Sequence, residues 1–267
     1  MVRAITLLLF FSLLSFTAFA GDNVITIQTQ GTGTTITATQ AGSSNITGIY
    51  CGLGSFDNSL SNTHTCDDAT ITVNITGDSN QAYVQSVWSN HDGQSWITTV
   101  NGNSNYSVID MDESDNTSRI TQDGNDHQAW ILGSGNNNSY KIEQDGESHY
   151  GKIISWADNS DIWITQEGSG DHNAYVYNSN YADNNSTRLI QKGSGNKDAD
   201  IFWYSDADDG EVTLTQQGNG SHTSLMKFYT DDYDVTVVQK GSTNKSYTAT
   251  FNCTSNCNKT ITITQQN

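Results

Sequence analysis

Six glutamines recur at a nearly constant spacing, and their side-chain amides are the groups with the clearest chemistry in this chain. The Gln-to-Gln steps are 22, 22, 25, 25 and 23 residues, and each glutamine lies two positions after an aliphatic residue and two before a glycine. A primary amide donates and accepts hydrogen bonds, and identical amides bond to one another when they stack at the spacing of β-strands. We therefore predict a core glutamine ladder that consists of Gln40, Gln122, Gln144, Gln166, Gln191, Gln216, Gln239 and Gln265.

Two further positions of the repeat are assigned structural roles. A glycine follows each glutamine, where a turn needs a positive φ or a close backbone approach. About three residues later comes an asparagine or a histidine, which predicts a second inward column. The predicted turn glycines are Gly42, Gly77, Gly102, Gly124, Gly146, Gly168, Gly193, Gly218 and Gly241. The predicted column consists of Asn45, Asn80, Asn105, His127, His149, His172, Asn196, His222 and Asn244.

The histidines of this column allow two interpretations. Inward imidazoles could bind a metal ion, or neutral imidazoles stacked one turn apart could replace the asparagines as a structural ladder. In the structural interpretation, protonation would place like charges about 5 Å apart. We then expect acid to loosen the repeats that carry consecutive histidines.

The four cysteines form two local pairs, Cys51 with Cys66 and Cys253 with Cys257. In a secreted chain an even number of cysteines predicts disulfides, here local bridges that close the longest loop and the last turn. Cross-links between neighbouring subunits are an alternative for these cysteines. Zinc is disfavoured because the spacings do not make two Cys-x-x-Cys knuckles.

Carboxylates are numerous but lie mostly in short acidic runs, such as residues 110–115 and 231–234. These runs could offer ligands to calcium, although none has the full pattern of a calcium loop. Alternatively, their repulsion could keep monomers apart before assembly. No set of nucleophile, base and orienting group can be picked out. We therefore predict that the chain is not an enzyme and that it needs no cofactor.

The alternation of apolar residues predicts the elements that carry these side chains. In the repeat around Gln144, a strand sends Tyr140, Ile142 and Gln144 to one face and Glu143 to the other. No repeat could bury its apolar face alone, so the copies must stack. We predict an all-β fold, a β-solenoid of about nine stacked strand-turn-strand repeats of 22–26 residues, roughly 40 Å long. It would span residues 21–267, with an insertion at residues 46–70 after the first repeat.

Residues 1–20 have the pattern of a secretory signal peptide, with Arg3, an apolar stretch from Ile5 to Phe16, and the end Ala18-Phe19-Ala20. The chain has a formal net charge of −18 at pH 7, which disfavours nucleic acid and anionic membranes as partners. After residue 20 no apolar run approaches the roughly 18 residues that span a bilayer. We therefore expect no membrane insertion.

The repeat resembles the curlin repeat of bacterial curli subunits, in which Gln-x-Gly-x-x-Asn joins two alternating strands. The motif is present as Gln191-Lys192-Gly193-Ser194-Gly195-Asn196, as Gln239-Lys240-Gly241-Ser242-Thr243-Asn244 and as Gln40-Ala41-Gly42-Ser43-Ser44-Asn45. The resemblance covers most of residues 21–267 and implies a secreted, amyloid-type fibre subunit of an extracellular matrix. The chain departs from the family in having no polar, Gly-rich leader before the first repeat, in its lengthened repeats and in its cysteines.

We therefore expect a secreted, extracellular structural subunit of a curli-like biofilm fibre, which assembles as a homopolymer by edge-to-edge strand addition. Secretion or nucleation proteins would be further partners. The alternative is a monomeric, surface-binding solenoid: an ice-binding protein that uses Thr pairs such as Thr37 and Thr39, or a carbohydrate-binding adhesin. The outward aromatic residues expected for an adhesin are Trp130, Trp163, Tyr175 and Trp203.

Overall fold

The described part of the chain consists of β-strands and the turns between them. The computed structural model describes residues 5–9, 13–18, 22–29, 33–51, 68–86, 93–112, 114–179, 184–204, 210–229, 232–241, 244–252 and 259–267. In these ranges there is no helix long and apolar enough to cross a membrane. The strands are β1 Ile5–Leu9, β2 Leu13–Ala18, β3 Ile25–Thr29, β4 Thr35–Gln40, β5 Thr47–Cys51, β6 Thr70–Asn74, β7 Ala82–Ser86, β8 Ser95–Thr99, β9 Ser107–Asp112, β10 Thr117–Asp123, β11 Gln128–Ser134, β12 Ser139–Asp145, β13 His149–Trp156, β14 Asp161–Glu167, β15 His172–Ser179, β16 Ser186–Gly193, β17 Lys197–Tyr204, β18 Gly210–Gly218, β19 His222–Phe228, β20 Tyr233–Lys240, β21 Lys245–Phe251 and β22 Lys259–Gln266.

The strands alternate between two parallel sheets. The odd-numbered strands form one 11-stranded sheet in chain order, and the even-numbered strands form a second. Ile120 of β10 lies opposite Ile142 of β12, which lies opposite Ile164 of β14. The chain therefore contributes one strand to each sheet per turn and stacks equivalent residues on one another. This arrangement confirms the predicted all-β solenoid, and the number of turns is close to the predicted nine.

Alternating burial explains why these segments form strands that stack. In β12, Tyr140, Ile142 and Gln144 are buried, whereas Lys141 and Glu143 are partly exposed. The inward residues of both sheets meet in one apolar core that runs from Ile25 to Val237. Stacked turns bury the apolar face that a single turn would leave in water, so the interior is continuous along the solenoid.

Trp203 lies in the core, so the prediction that it points outward is wrong. Its side chain is 1% exposed, and its ring centroid lies 5.9 Å from that of Phe228. Because β17 begins with the buried Lys197, alternation also places Trp203 inside. A Cβ atom on Gly210 would overlap the indole ring, so glycine at this position makes room for the tryptophan.

The first two strands lie in the segment that the sequence predicts to be a signal peptide. β1 pairs with β3, and β2 pairs with β4, both in parallel. Cleavage of this segment stays a prediction. The predicted insertion at residues 46–70 includes β5, which is a regular member of the odd-numbered sheet. Residues 52–67 lie outside the described part of the chain.

Candidate functional site

Seven glutamines form a continuous hydrogen-bonded ladder inside the solenoid. From Gln144 onward, each Nε2 donates to the Oε1 of the glutamine one turn earlier, and the side chains from Gln122 to Gln239 are at most 2% exposed. Every rung runs in the same direction along the axis. The rungs join Gln144 to Gln122 at 3.0 Å, Gln166 to Gln144 at 2.9 Å, Gln191 to Gln166 at 2.9 Å, Gln216 to Gln191 at 2.9 Å, Gln239 to Gln216 at 2.8 Å and Gln265 to Gln239 at 2.7 Å.

The same amides also connect the two sheets. Gln144 Nε2 donates to the carbonyl oxygen of Tyr150 at 3.0 Å, and Gln216 Nε2 donates to that of Thr223 at 2.8 Å. Each acceptor lies on the odd-numbered strand that follows in the chain. A buried amide left unpaired would cost about 1–3 kcal/mol. Both N–H groups of these amides have partners, so this cost is avoided. Each glutamine side chain also links the two strands that flank its turn.

Gln40 lies in the same column but is separated from the ladder by two turns. The registers of β4, β6, β8 and β10 place Ile75 and Val100 between Gln40 and Gln122. Both intervening side chains are buried, as is Gln40 itself. Gln40 Nε2 donates to the carbonyl oxygen of Ile46 at 2.7 Å, and its Oε1 has no hydrogen-bond partner among the described residues. The predicted ladder is thus interrupted near its start.

The second column begins with asparagines in the first turns. Asn80 Nδ2 donates to Asn45 Oδ1 at 2.8 Å, and Asn105 Nδ2 donates to Asn80 Oδ1 at 2.6 Å. His127, His149, His172 and His222 continue the column, each at most 1% exposed.

Asn196 and Asn244 are not members of this column, contrary to the prediction. Both are exposed, and Lys197 and Lys245 occupy the column instead, since Lys197 pairs with His172 and Lys245 pairs with His222. The turn after Gln191 is one residue longer than the turn after Gln144. A shift of one residue exchanges the two faces of a strand, so the residue after each asparagine points inward.

Lys197 is a charged residue in the core, with 1% of its surface exposed. Its Nζ donates to three carbonyl oxygens, at 2.9 Å to Gly193, 2.7 Å to Gly195 and 3.0 Å to Asn219. Burial lowers the pKa of Lys197. The carbonyls of two successive turns replace the water that an exposed ammonium would bind, which is the condition for burying a charge.

Neighbouring histidine rings of this column are in contact, and two of them stack. The ring centroids of His149 and His172 are 4.5 Å apart, and the rings are nearly parallel, with an interplanar angle of 13°. Burial, followed by the neighbouring histidines, lowers the pKa of His149 to about 3. Burial and the nearby charge of Lys197 lower the pKa of His172 to about 4. Burial also lowers the pKa of His127 and of His222. The imidazoles are therefore neutral at pH 7.

The turn glycines fall into two groups. From Gly124 to Gly241 the predicted glycines have a positive φ, for example +130° at Gly193. A methyl group on Gly193 would also overlap the carbonyl oxygen of Gly168 in the previous turn. In the three earlier turns the positive φ belongs to the residue after the glycine, which is Ser43, Asp78 or Asn103. Gly42, Gly77 and Gly102 therefore do not supply the predicted positive φ.

A third polar column lies at the turns that lead into the even-numbered strands, and it was not predicted from the sequence. The backbone N–H of Gln94 donates to Asn116 Oδ1 at 2.8 Å, and that of Asn116 donates to Asn138 Oδ1 at 2.8 Å. The N–H of Ser160 likewise donates to Asn185 Oδ1 at 2.5 Å. The signal was present in the sequence, because each asparagine immediately precedes an even-numbered strand.

The outer faces carry charged and aromatic residues. On the even-numbered sheet, Lys141 Nζ and the Arg188 guanidinium lie 4.7 and 4.8 Å from the ring centre of Trp163. On the odd-numbered sheet, Lys152 lies over the rings of Trp130 and Tyr175. Cations over aromatic rings at this distance are stabilising by roughly 0.5–1 kcal/mol at exposed sites.

The last strand of the even-numbered sheet is open on one side. β22 pairs with β20, and no other described strand pairs with it. Ile261 and Ile263 are 38% and 46% exposed, whereas their partners Val235 and Val237 are at most 1% exposed. An edge strand with apolar inward residues is a template for another strand.

Cys51 is fully buried in β5. Cys66, Cys253 and Cys257 lie outside the described residues, so both predicted disulfides stay predictions. Across the described ranges, no three side chains of His, Cys, Asp or Glu come together as a metal site.

A model of the curlin associated repeat matches residues 114–146. This segment contains β10, β11 and β12, with the first rung of the glutamine ladder and His127. The match confirms the resemblance to the curlin-repeat family that the sequence predicted. Neither the curated proteins nor the solved structures include a match to the chain. The repeat and the β-solenoid fold fit a curli-like structural protein in general.

Proposed function

We propose that the protein is a secreted structural subunit of an extracellular, curli-like amyloid fibre that grows by strand addition at the ends of the solenoid. The observation that carries this proposal is the open end, where Ile261 and Ile263 of β22 present inward side chains without a covering turn. A further copy would bury these residues and pair the unpaired edge.

The interior is compatible with indefinite stacking. All described strands are parallel and all stack in one direction, so a subunit that continues both sheets would extend the cross-β arrangement without a break. Secretion, the fibre's role in a biofilm matrix and any export or nucleation partner belong to the same proposal. They are supported by the predicted signal peptide and by the curlin repeat.

The outer face of the even-numbered sheet argues against an ice-binding surface. Thr37 and Thr213 point outward in one column, but the strands between them place Arg119, Lys141 and Trp163 in that column. A flat, continuous threonine array is therefore interrupted by long and charged side chains. This arrangement favours a structural subunit over an ice-binding monomer.

Incubation of the purified, secreted protein tests the proposal. Negative-stain electron microscopy should show unbranched fibres, thioflavin T fluorescence should rise with time, and fibre diffraction should give reflections near 4.7 and about 10 Å. N-terminal sequencing should find Gly21 as the first residue. A protein that remains monomeric at high concentration would overturn the proposal.

A further inference from the structure

We propose that successive subunits join in one defined register, in which β22 of one copy pairs with β4 of the next and Gln265 hydrogen-bonds to Gln40. The occupant of the open end is thus a second copy of this chain, placed by its N-terminal strands. This inference rests on the proposed fibre function and specifies the two surfaces that meet.

The two strands are nearly identical in sequence. β4 reads Thr-Ile-Thr-Ala-Thr-Gln at residues 35–40, and β22 reads Thr-Ile-Thr-Ile-Thr-Gln at residues 260–265. Five of the six positions are the same. Parallel strands in this solenoid stack like residues on like residues, as Gln216 does on Gln239. Pairing of β22 with β4 therefore continues the pattern that the chain already uses within itself.

The backbone of β4 accepts a parallel strand at this edge in the structure. β2 lies there, with Leu14 opposite Ile36, Phe16 opposite Ala38 and Ala18 opposite Gln40. Cleavage after residue 20 would remove β2 and expose the same edge. β22 in this place would put Ile261, Ile263 and Gln265 at the positions that Leu14, Phe16 and Ala18 hold.

The direction of the glutamine ladder specifies which ends meet. In every rung the Nε2 donates toward the N-terminal end, and Gln265 Nε2 already donates to Gln239. A further rung must therefore be accepted by Gln265 Oε1 and donated by a glutamine of the next copy. Gln40 meets this requirement, since one of its N–H groups donates to Ile46 and an amide carries a second. The isolated glutamine of the first repeat thus gains a ladder partner across the joint.

The sizes of the inward residues are complementary at the proposed joint. Ile263 would lie on Ala38 in the even-numbered sheet. In the odd-numbered sheet, Phe251 lies in the same column as Thr29, and Ala249 lies in the same column as Ile27. At each of these three positions a large side chain would meet a smaller one, which allows close packing. Lys245 and Gln265, the last residues of the two polar columns, line one cleft at this end.

Engineered disulfides test the register. Thr37 and Thr262 point outward. In the proposed joint they lie opposite each other with their Cα atoms about 4.8 Å apart, which is within the Cα···Cα range for a disulfide. Within one molecule nine strand spacings, about 43 Å, separate them. The protein with both Thr37→Cys and Thr262→Cys is secreted, purified, assembled under reducing conditions and then oxidised. The matched control carries Thr37→Cys with Thr260→Cys, which the proposed register places about 8 Å apart, too far to bridge.

We expect fibres from both variants. Non-reducing electrophoresis should show a series of covalent oligomers for the first, and mass spectrometry should identify the peptide linked through positions 37 and 262. Native cysteines do not obscure this result, because the linked peptide is identified by its mass. Fibres without the 37–262 link, or with a link of equal yield at 37–260, would overturn the joint and leave the fibre function in place. Failure of both variants and of the unmodified protein to form fibres would overturn the proposed function itself.

Discussion

Gln216 and Gln191 are 25 residues apart in the chain, yet Nε2 of Gln216 lies 2.9 Å from Oε1 of Gln191 and donates a hydrogen bond to it inside the core. Gln216 also donates to the carbonyl oxygen of Thr223 and accepts from Gln239. The side chain thus connects three successive turns of one sheet and the next strand of the other sheet. These hydrogen bonds fix the stacking register, because a slip of one residue would turn the amide outward.

Replacement of Gln216 by leucine should lower the free energy of unfolding by about 1–3 kcal/mol, because it leaves buried partners of the amide unpaired. Thr215→Leu is the matched control, since Thr215 is the neighbour on the outer face of β18, and it should change stability by less than about 0.5 kcal/mol. Urea denaturation of the freshly purified monomer measures both variants. Equal stabilities for the two variants would show that the ladder does not contribute to stability.

Acid should destabilise the turns that contain stacked histidines. The pKa of His149 is lowered to about 3 and that of His172 to about 4, whereas the unfolded chain has the ordinary histidine value near 6.5. As the pH falls below about 6.5 the unfolded state takes up protons that the folded state does not. Each of these histidines should then lower the free energy of unfolding by about 1.4 kcal/mol per pH unit, down to its folded pKa.

Urea midpoints between pH 7 and pH 4 test this dependence. His149→Asn is the matched control, because Asn105 serves the same column in an earlier turn and does not titrate. This variant should show a shallower decrease of stability with acid. A stability that is flat between pH 7 and pH 5 in the unmodified protein would contradict the buried, neutral state of the column.

Lys197→Met should raise the pKa of His172, because the lysine charge is one of the causes that lower it. The value should stay below the ordinary histidine value, since burial remains. Loss of the ammonium should also leave the carbonyls of Gly193 and Asn219 without their donor, at a cost of about 1–3 kcal/mol.

NMR titration of the His172 ring protons and urea denaturation measure the two effects. Lys192→Met removes a lysine that is 45% exposed and pairs with Glu167 at the surface. It should leave the pKa of His172 unchanged and cost less than about 1 kcal/mol. An unchanged pKa of His172 in Lys197→Met would show that the buried lysine does not act on the histidine column.

The fold and the ladder from Gln122 to Gln265 could be predicted because the glutamines recur at a nearly constant spacing in the sequence. The inward positions of Lys197 and Lys245 were not predicted. A fixed count of three residues from Gly193 or Gly241 ends at Asn196 or Asn244, because it ignores an extra residue in the turn. Gln144 and His149 are five residues apart, whereas Gln191 and Lys197 are six apart. His172, which follows Gly168 by four residues, already carried this signal.

A buried lysine contradicts the expectation that charges avoid the core. Only the structure shows that three carbonyl oxygens converge on Lys197 Nζ, because the acceptors come from two successive turns that are distant in sequence. The inward position of Trp203 was missed because the prediction placed Asn196, and not Lys197, on the inward face. An error of one residue at the start of β17 changes the predicted face of every residue in that strand.

Gly193→Ala should destabilise the solenoid by at least about 1–3 kcal/mol. Alanine would have to adopt a φ of +130°, and its methyl group would overlap the carbonyl oxygen of Gly168. Gly42→Ala is the matched control from the first repeat, where φ is not positive and the nearest atom to an added Cβ is 3.5 Å away. Thermal or urea denaturation should separate the two variants. Equal losses of stability in the two variants would contradict the conclusion that Gly193 and Gly42 lie in two different kinds of turn.

Ile263→Lys should block growth of the fibre while leaving the subunit folded. The side chain of Ile263 is 46% exposed at the open end, so the lysine can reach water in the monomer and costs little stability there. Addition of another copy would bury the charge without an ion pair, which is strongly unfavourable.

Thr262→Lys is the matched control, because it places the same charge on the adjacent residue of β22, which points to the outer face. Fibres of this variant should still elongate. Circular dichroism verifies the fold of both monomers, and seeded thioflavin T kinetics measure elongation. We expect Ile263→Lys to lower the rate of elongation by at least tenfold relative to Thr262→Lys. Equal rates for two folded variants would show that growth does not proceed through the inward face of β22.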